Sequence, residues 1–323
     1  MKTRKVFYWL SGSIISLFMV TEFASRFILG LGNPVLSVAH PTIEYMFAPN
    51  QDVRRFGNRI YINNYGMRSE SLQPQKDKNE FRIMIFGDSV INGGNLIDQD
   101  DLALTKLSHE LSILFEKKII VGNISANSWG PGNWLAFADE FGFFNADIIG
   151  VVLSSHDVND IRKFLPLNPN THPTQKPLLA SVELVSRYLS RYLSRITRSQ
   201  GESRLDSDFE VDNLNIHSQE ALPELRLFLE MAQKQTSSIV IFQHWTRSEI
   251  EKDDYPSGHK AIKDVCEEFG IRCVSLKPYF QSALEKGENL YRDDIHLTQK
   301  GQYHLYEALF DFFKETIPLD QDH

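Results

Sequence analysis

Five short apolar runs, each separated from the next by a stretch of helical periodicity, predict an α/β protein. The expected architecture is a three-layer α/β/α sandwich around a five-stranded parallel sheet with right-handed crossovers. The strand runs are Ile83 to Phe86, Ile119 to Ile124, Asp147 to Leu153, Ser238 to Gln243 and Arg272 to Leu276. Ile83 to Phe86 is apolar without alternation, as expected of a central strand covered on both faces. Helical periodicity is best over Leu102 to Lys117, Glu220 to Lys234, Ser257 to Phe269 and Gln299 to Lys314. With 323 residues, 42% hydrophobic and 24% charged, the chain can bury a full core, and its length suits one such domain plus extensions.

The first extension is the N-terminus. Met-Lys-Thr-Arg-Lys runs straight into an apolar stretch from Val6 to Val20, continued past Glu22 and Arg26 to Leu29. A spanning helix needs about 20 residues, which snorkelling by Lys5 and Arg26 completes. Glu22 would occupy the outer small-residue position for a cut after Ala24, so residues 1–31 are expected to be an uncleaved signal anchor. With Lys2, Arg4 and Lys5 inside, the positive-inside rule puts the remainder outside the cytoplasm. The expectation is a single-pass inner-membrane protein with a periplasmic domain.

Residues 32–80 then read as a structured linker, because Tyr45, Met46, Phe47, Ile60, Tyr61 and Ile62 invite packing against the domain over 81–318. The domain is interrupted by an insertion at about 162–218, Pro-rich at first, then studded with Arg187, Arg191, Arg195 and Arg198. That arginine stripe reads as the solvated face of one amphipathic helix whose leucines pack on the domain. A basic face for an anionic polymer or lipid headgroups is the alternative.

The chemistry lies at two distant places. Phe81 to Ser89 ends in Gly87-Asp88-Ser89, so Ser89 falls at a strand's C-terminal edge, where open α/β sheets bind ligands. Near the C-terminus, Asp293-Asp294-Ile295-His296 offers an acid and an imidazole on one turn. A serine hydroxyl needs a histidine to take its proton, and an acid to hold that histidine's tautomer. Either motif alone describes ordinary turns and helix caps; their joint placement points to a serine hydrolase.

These residues resemble the motif blocks of the SGNH/GDSL hydrolases: Gly-Asp-Ser, a glycine, Gly-x-Asn-Asp and Asp-x-x-His, in that order over roughly 80–315. The resemblance implies a flavodoxin-like sandwich with Ser89 as nucleophile and Asp293 and His296 as acid and base. It further implies an oxyanion hole from the Ser89 N–H, the Asn159 side chain and a backbone N–H. Asp157 stands where the third block has glycine. In Asn123 to Gly132 the second-block glycine aligns with Ser128 or, shifted, with Gly130; Gly130 is favoured. Asn63-Asn64-Tyr65-Gly66-Met67-Arg68 resembles a stretch that precedes the hydrolase domain in membrane-anchored relatives, with Arg68 expected in a structural ion pair.

His156 and His244, at the ends of strands, are candidate substrate-binding residues together with Ser128. No histidine has metal-ligand spacing, so no metal or cofactor is expected. A net charge of -8 argues against nucleic acid as a partner. Cys266 and Cys273, at a helix end and in the next strand, are expected as buried free thiols too far apart to bridge. The expected function is serine-dependent hydrolysis of O-acyl groups on an envelope or exopolysaccharide glycan, in contact with polysaccharide-assembly proteins. The alternatives are an O-acyltransferase with the same triad, a non-catalytic glycan-binding assembly factor and a lysophospholipase.

Overall fold

Ile83, Met84, Ile85 and Phe86 are all inaccessible to solvent, two from each side of their strand. That double burial organises the molecule. In the computed structural model, which describes residues 2–190, 192 and 219–318, helix α1 (Lys2–Phe23) widens into a π-helical turn over Ala24–Ile28. Two antiparallel hairpins follow, β1 (Ser37–His40) with β2 (Glu44–Phe47) and β3 (Gln51–Arg55) with β4 (Asn58–Ile62).

The sheet then begins with β5 (Glu80–Gly87), followed by α2 (Ser89–Asn92), α3 (Ala103–Leu114), β6 (Lys118–Ser125), α4 (Pro131–Phe141) and β7 (Ile148–Ser154). After a turn at Asp157–Asn159 come α5 (Ala180–Glu183), which continues as a π-helical turn to Leu189, and α6 (Leu222–Gln235). The chain closes with β8 (Ile239–His244), α7 (Arg247–Glu251), α8 (Ser257–Phe269), β9 (Arg272–Ser275), α9 (Lys277–Glu285) and α10 (Gln299–Thr316).

All five strands of the large sheet are parallel, in the order β6-β5-β7-β8-β9. Each expected strand is present to within three residues at either end. Met84, Phe86, Ile149 and Ile241 face a layer built from Trp134 and Phe137 of α4, Phe228 of α6 and Val265 of α8. Ile83, Ile85, Val152 and Phe242 face the opposite layer, from Leu107 of α3, Phe280 of α9 and Leu309 of α10. Because β6 and β7 lie on opposite sides of β5, the crossovers diverge at the C-terminal end of β5. This switch point opens a crevice there.

The hairpins pack against the sheet domain: Ile43, Tyr45, Met46, Met67 and Leu72 belong to the same buried cluster as α4 and α6. Arg68 is buried, but it pairs with no carboxylate. Its guanidinium instead donates to the carbonyls of Asn92, Gly94 (2.6 Å) and Ile97 (2.6 Å), the loop that leaves α2. The ion pair expected for it is therefore replaced by three carbonyl contacts behind α2. Cys266 is buried and Cys273 half-buried, and both are free. Arg187 is held by Glu183 at 2.9 Å, and Arg191, Arg195 and Arg198 lie outside the described residues.

Candidate active site

Three connections converge on the switch point. The turn after β5 starts α2, with Asp88 as its cap: the Asp88 carboxylate accepts the Val90 N–H at 2.8 Å. Ser89 therefore sits in the first turn of α2, 6% exposed. Trp134 Nε1–H donates to the Gly87 carbonyl at 2.9 Å, and Gly93 closes the short helix at φ +73°, a conformation that glycine adopts without a Cβ penalty.

His296 arrives from the far end of the chain. Its loop is pinned by Tyr291 Oη–H to the Trp245 carbonyl (2.7 Å), by the Arg247 N–H to the Asp294 carbonyl (2.7 Å) and by the Arg292 N–H to the His296 carbonyl (2.9 Å). His244 lies beneath: Nε2 is 3.2 Å from the Ile295 carbonyl, and burial pushes its pKa down to about 4, so it is a neutral donor. It is wholly buried and supports the loop from below, the structural alternative to a place in the mouth.

The structure brings Ser89, His296 and Asp293 together. His296 Nε2 is 2.9 Å from Ser89 Oγ, and His296 Nδ1 is 2.7 Å from Asp293 Oδ2. The other Asp293 oxygen accepts the backbone N–H groups of Ile295 (3.0 Å) and His296 (2.6 Å). Burial alone would raise this carboxyl, but the His296 side chain and these amides outweigh it and hold it at about 2. Asp293 is thus ionised and accepts a hydrogen bond from Nδ1–H, which fixes the tautomer and leaves Nε2 as the acceptor for the serine hydroxyl.

Asn159 ends the turn Asp157–Asn159; its Oδ1 accepts the Gln219 N–H at 2.9 Å, leaving its amide NH₂ for another acceptor. The Gly130 N–H donates to Asn133 Oδ1 at 3.0 Å, capping α4. Its lack of a side chain has a different cause: a Cβ there would lie 2.8 Å from both the Cβ and the carbonyl oxygen of Asp160. Ser128, exposed and at φ +57°, occupies the left-handed conformation that a glycine would favour.

One cluster escapes sequence reading altogether. Asp88, His156 and Asp157 offer donor atoms all within 4.8 Å of one another, and His156 Nε2 stands 3.2 Å from Asp157 Oδ1. Burial, then the Asp157 charge, raises Asp88 to about 7, against the pull of His156, the Val90 N–H and His296. Burial likewise drives Asp157 well above the usual carboxylate range. One imidazole and two carboxylates are a donor set of the type that divalent cations take. Only the folded chain brings Asp88 to the other two.

No protein-family model matches the chain, and comparison with curated proteins gives no match. Among solved structures it is similar to a variant of Axe2, an acetyl-xylooligosaccharide esterase from Geobacillus, at 13% identity and TM-score 0.46 over 73% of this chain and 95% of that one. A lipolytic G-D-S-L family protein from Veillonella parvula is 11% identical at TM-score 0.45, over 72% and 98%. The lipase/acylhydrolase from Enterococcus faecalis is also 11% identical at TM-score 0.45, over 75% and 100%.

Proposed function

We propose that this chain, a serine esterase of the SGNH/GDSL type, removes O-acyl groups from a glycan outside the cytoplasm. The observation that carries the esterase reading is the continuous relay from Ser89 Oγ through His296 to Asp293, with contacts of 2.9 and 2.7 Å. His296 Nε2 takes the hydroxyl proton as Oγ attacks the ester carbonyl, and Asp293 steadies the imidazolium that results. The tetrahedral oxyanion is held by the Ser89 N–H, the Asn159 amide and the Ser128 N–H, the last in place of Gly130, whose N–H is engaged. His296 then protonates the departing alcohol, and water, activated by the same imidazole, releases the acyl group as acid.

The glycan reading rests on the polarity of the half-buried side chains at these strand ends, Asn159 and His156, beside exposed Ser128. Such a mouth suits a hydroxyl-rich leaving group. The location rests on one helix, Arg4–Ile28, long and apolar enough to cross a membrane; a signal sequence passes the same test. Its basic start favours an extracytoplasmic domain at the inner membrane.

The test is turnover by the detergent-solubilised full chain of p-nitrophenyl esters from acetate to octanoate, and of acetylated xylan, against Ser89→Ala. The proposal expects Ser89-dependent release that falls with acyl length, and acetate from xylan as free acid. Acetyl moved to an added glycan would make the chain a transferase. Preference for octanoate would make it a lipid hydrolase, and no turnover in any format would overturn the esterase reading.

A further inference from the structure

Helix α5 begins where α1 ends. Glu22, in the last turn of α1, accepts the N–H groups of Ala180 (3.0 Å) and Ser181 (2.9 Å), capping α5 across more than 150 residues of chain. Arg26 donates to the Leu178 carbonyl at 3.0 Å and to Glu22 at 2.8 Å. The inner side of α5 is fixed by Glu183, which accepts the Gly32 N–H (2.6 Å) and pairs with the buried Arg55 and with Arg187 (2.9 Å).

The outer side is apolar and exposed among the described residues. Val182 (54% exposed), Val185 (54%), Leu189 (43%) and Tyr192 (62%) recur three, four and three residues apart, and Leu178 just ahead of them is 91% exposed. Soluble surfaces seldom carry such a stripe without a partner. This one is continuous with Phe27 and Ile28, each 69% exposed, at the end of the apolar helix.

We propose that this stripe is the face of an interfacial helix that lies in the headgroup region of a lipid bilayer, beside the point where α1 emerges. The proposal rests on the reading of Arg4–Ile28 as a membrane span. Two backbone hydrogen bonds to Glu22 place the first turn of α5 at the depth where α1 leaves the hydrocarbon. From there the apolar side chains bury against acyl chains, and Tyr192 matches the amphipathic belt of the interface. The π-helical extension of α5 belongs to the insertion that leaves the sheet just after Asn159. Its footing therefore sets how the catalytic mouth stands above the membrane.

The test uses the full chain with Cys266→Ser and Cys273→Ser, reconstituted in vesicles of phosphatidylcholine and phosphatidylglycerol. Spin labels are placed singly at Val185→Cys, Leu178→Cys, Ile15→Cys and Tyr303→Cys, with retained esterase turnover as the check on folding. Accessibility to oxygen, which partitions into lipid, is compared with accessibility to a water-soluble nickel chelate. The expected result is a several-fold higher oxygen-to-nickel ratio at Val185 and Leu178 than at exposed Tyr303 of α10. A ratio equal to that at Tyr303 overturns the proposal while a lipid-exposed Ile15 leaves the span intact. Low accessibility to both reagents also overturns it, because protein then covers the stripe. A water-exposed Ile15 overturns the span, and the proposal with it.

Discussion

Gln302 donates to the carbonyl of Val90 at 2.7 Å, while its own side-chain oxygen accepts the Ala103 N–H at 3.1 Å. One wholly buried amide from α10, the helix that follows His296, thus holds the short helix that carries Ser89. Gln302→Leu leaves a buried carbonyl and a buried N–H unsatisfied, which costs ~1–3 kcal/mol for each. Thermal unfolding should report that loss. As a positioning residue, Gln302 should also show a fall in kcat of about tenfold with KM nearly unchanged, since a slightly misplaced nucleophile costs rate rather than binding. An unaltered kcat in the destabilised variant would mean that the two helices are aligned by packing alone.

Asp293→Asn keeps the shape of the loop and reverses its proton logic, because an amide can donate to Nδ1 and force the proton to Nε2. We expect kcat to fall roughly 10³- to 10⁴-fold, with the circular dichroism unchanged. The carboxyl is held at about 2, below its ordinary 3.8, so the stability it contributes is present above pH 3.8 and lost as pH falls towards 2. Acid unfolding of the variant should accordingly be shallower in that window than in the parent.

Asp88 behaves in the opposite sense. Its pKa is raised from 3.8 to about 7, so the folded state holds a proton that the unfolded chain has released. Stability should fall as pH rises from 3.8 to 7, by on the order of 4 kcal/mol from this group. Asp88→Asn retains an acceptor for the Val90 N–H but cannot titrate, and should flatten the profile. Denaturant midpoints measured at pH 5 and pH 8 decide it: equal parent and variant differences would rule out a buried proton on Asp88.

Ser128 and Gly130 make a paired prediction. Ser128→Gly removes the cost of a left-handed serine, of order 1 kcal/mol, and should keep turnover while raising the melting temperature. Gly130→Ala drives a methyl to within 2.8 Å of Asp160 and should cost about 1–3 kcal/mol. Equal tolerance at the two positions would contradict the backbone described here.

Arg55 and Glu183 form an ion pair with side chains 0% and 1% exposed. Breaking it from one side, by Glu183→Ala, strands a buried guanidinium and should cost about 3–5 kcal/mol, read as a loss of midpoint in denaturant. Replacing both partners with leucine should cost less.

The strands and the triad were legible because their signals are local. Ile83 to Phe86 shows its double burial in four consecutive letters, and Asp293 with His296 sits within one turn. The hairpins of residues 37–62 were not legible as strands, since their short runs mix polar and charged residues with apolar ones instead of being uniformly apolar. Helix α4 was not among the expected helices, although Pro131 suits a first turn. Between the two oxyanion candidates residue type was an ambiguous guide: Asp160 crowds Gly130, whereas the left-handed backbone belongs to Ser128. His244 stands at a strand end, as the sequence implies, but which side of the loop it touches depends on packing that no spacing encodes.

The Ser89–His296 contact joins groups 207 positions apart, and α10 follows the histidine. Under the proposed mechanism a growing chain therefore displays its nucleophile long before its base exists. Until the last helix docks, the hydroxyl has nothing to receive its proton, and the nascent protein is chemically silent towards any ester it meets. Activity thus reports completed folding, and a protein clipped anywhere before His296 should carry a serine with no reactivity of its own.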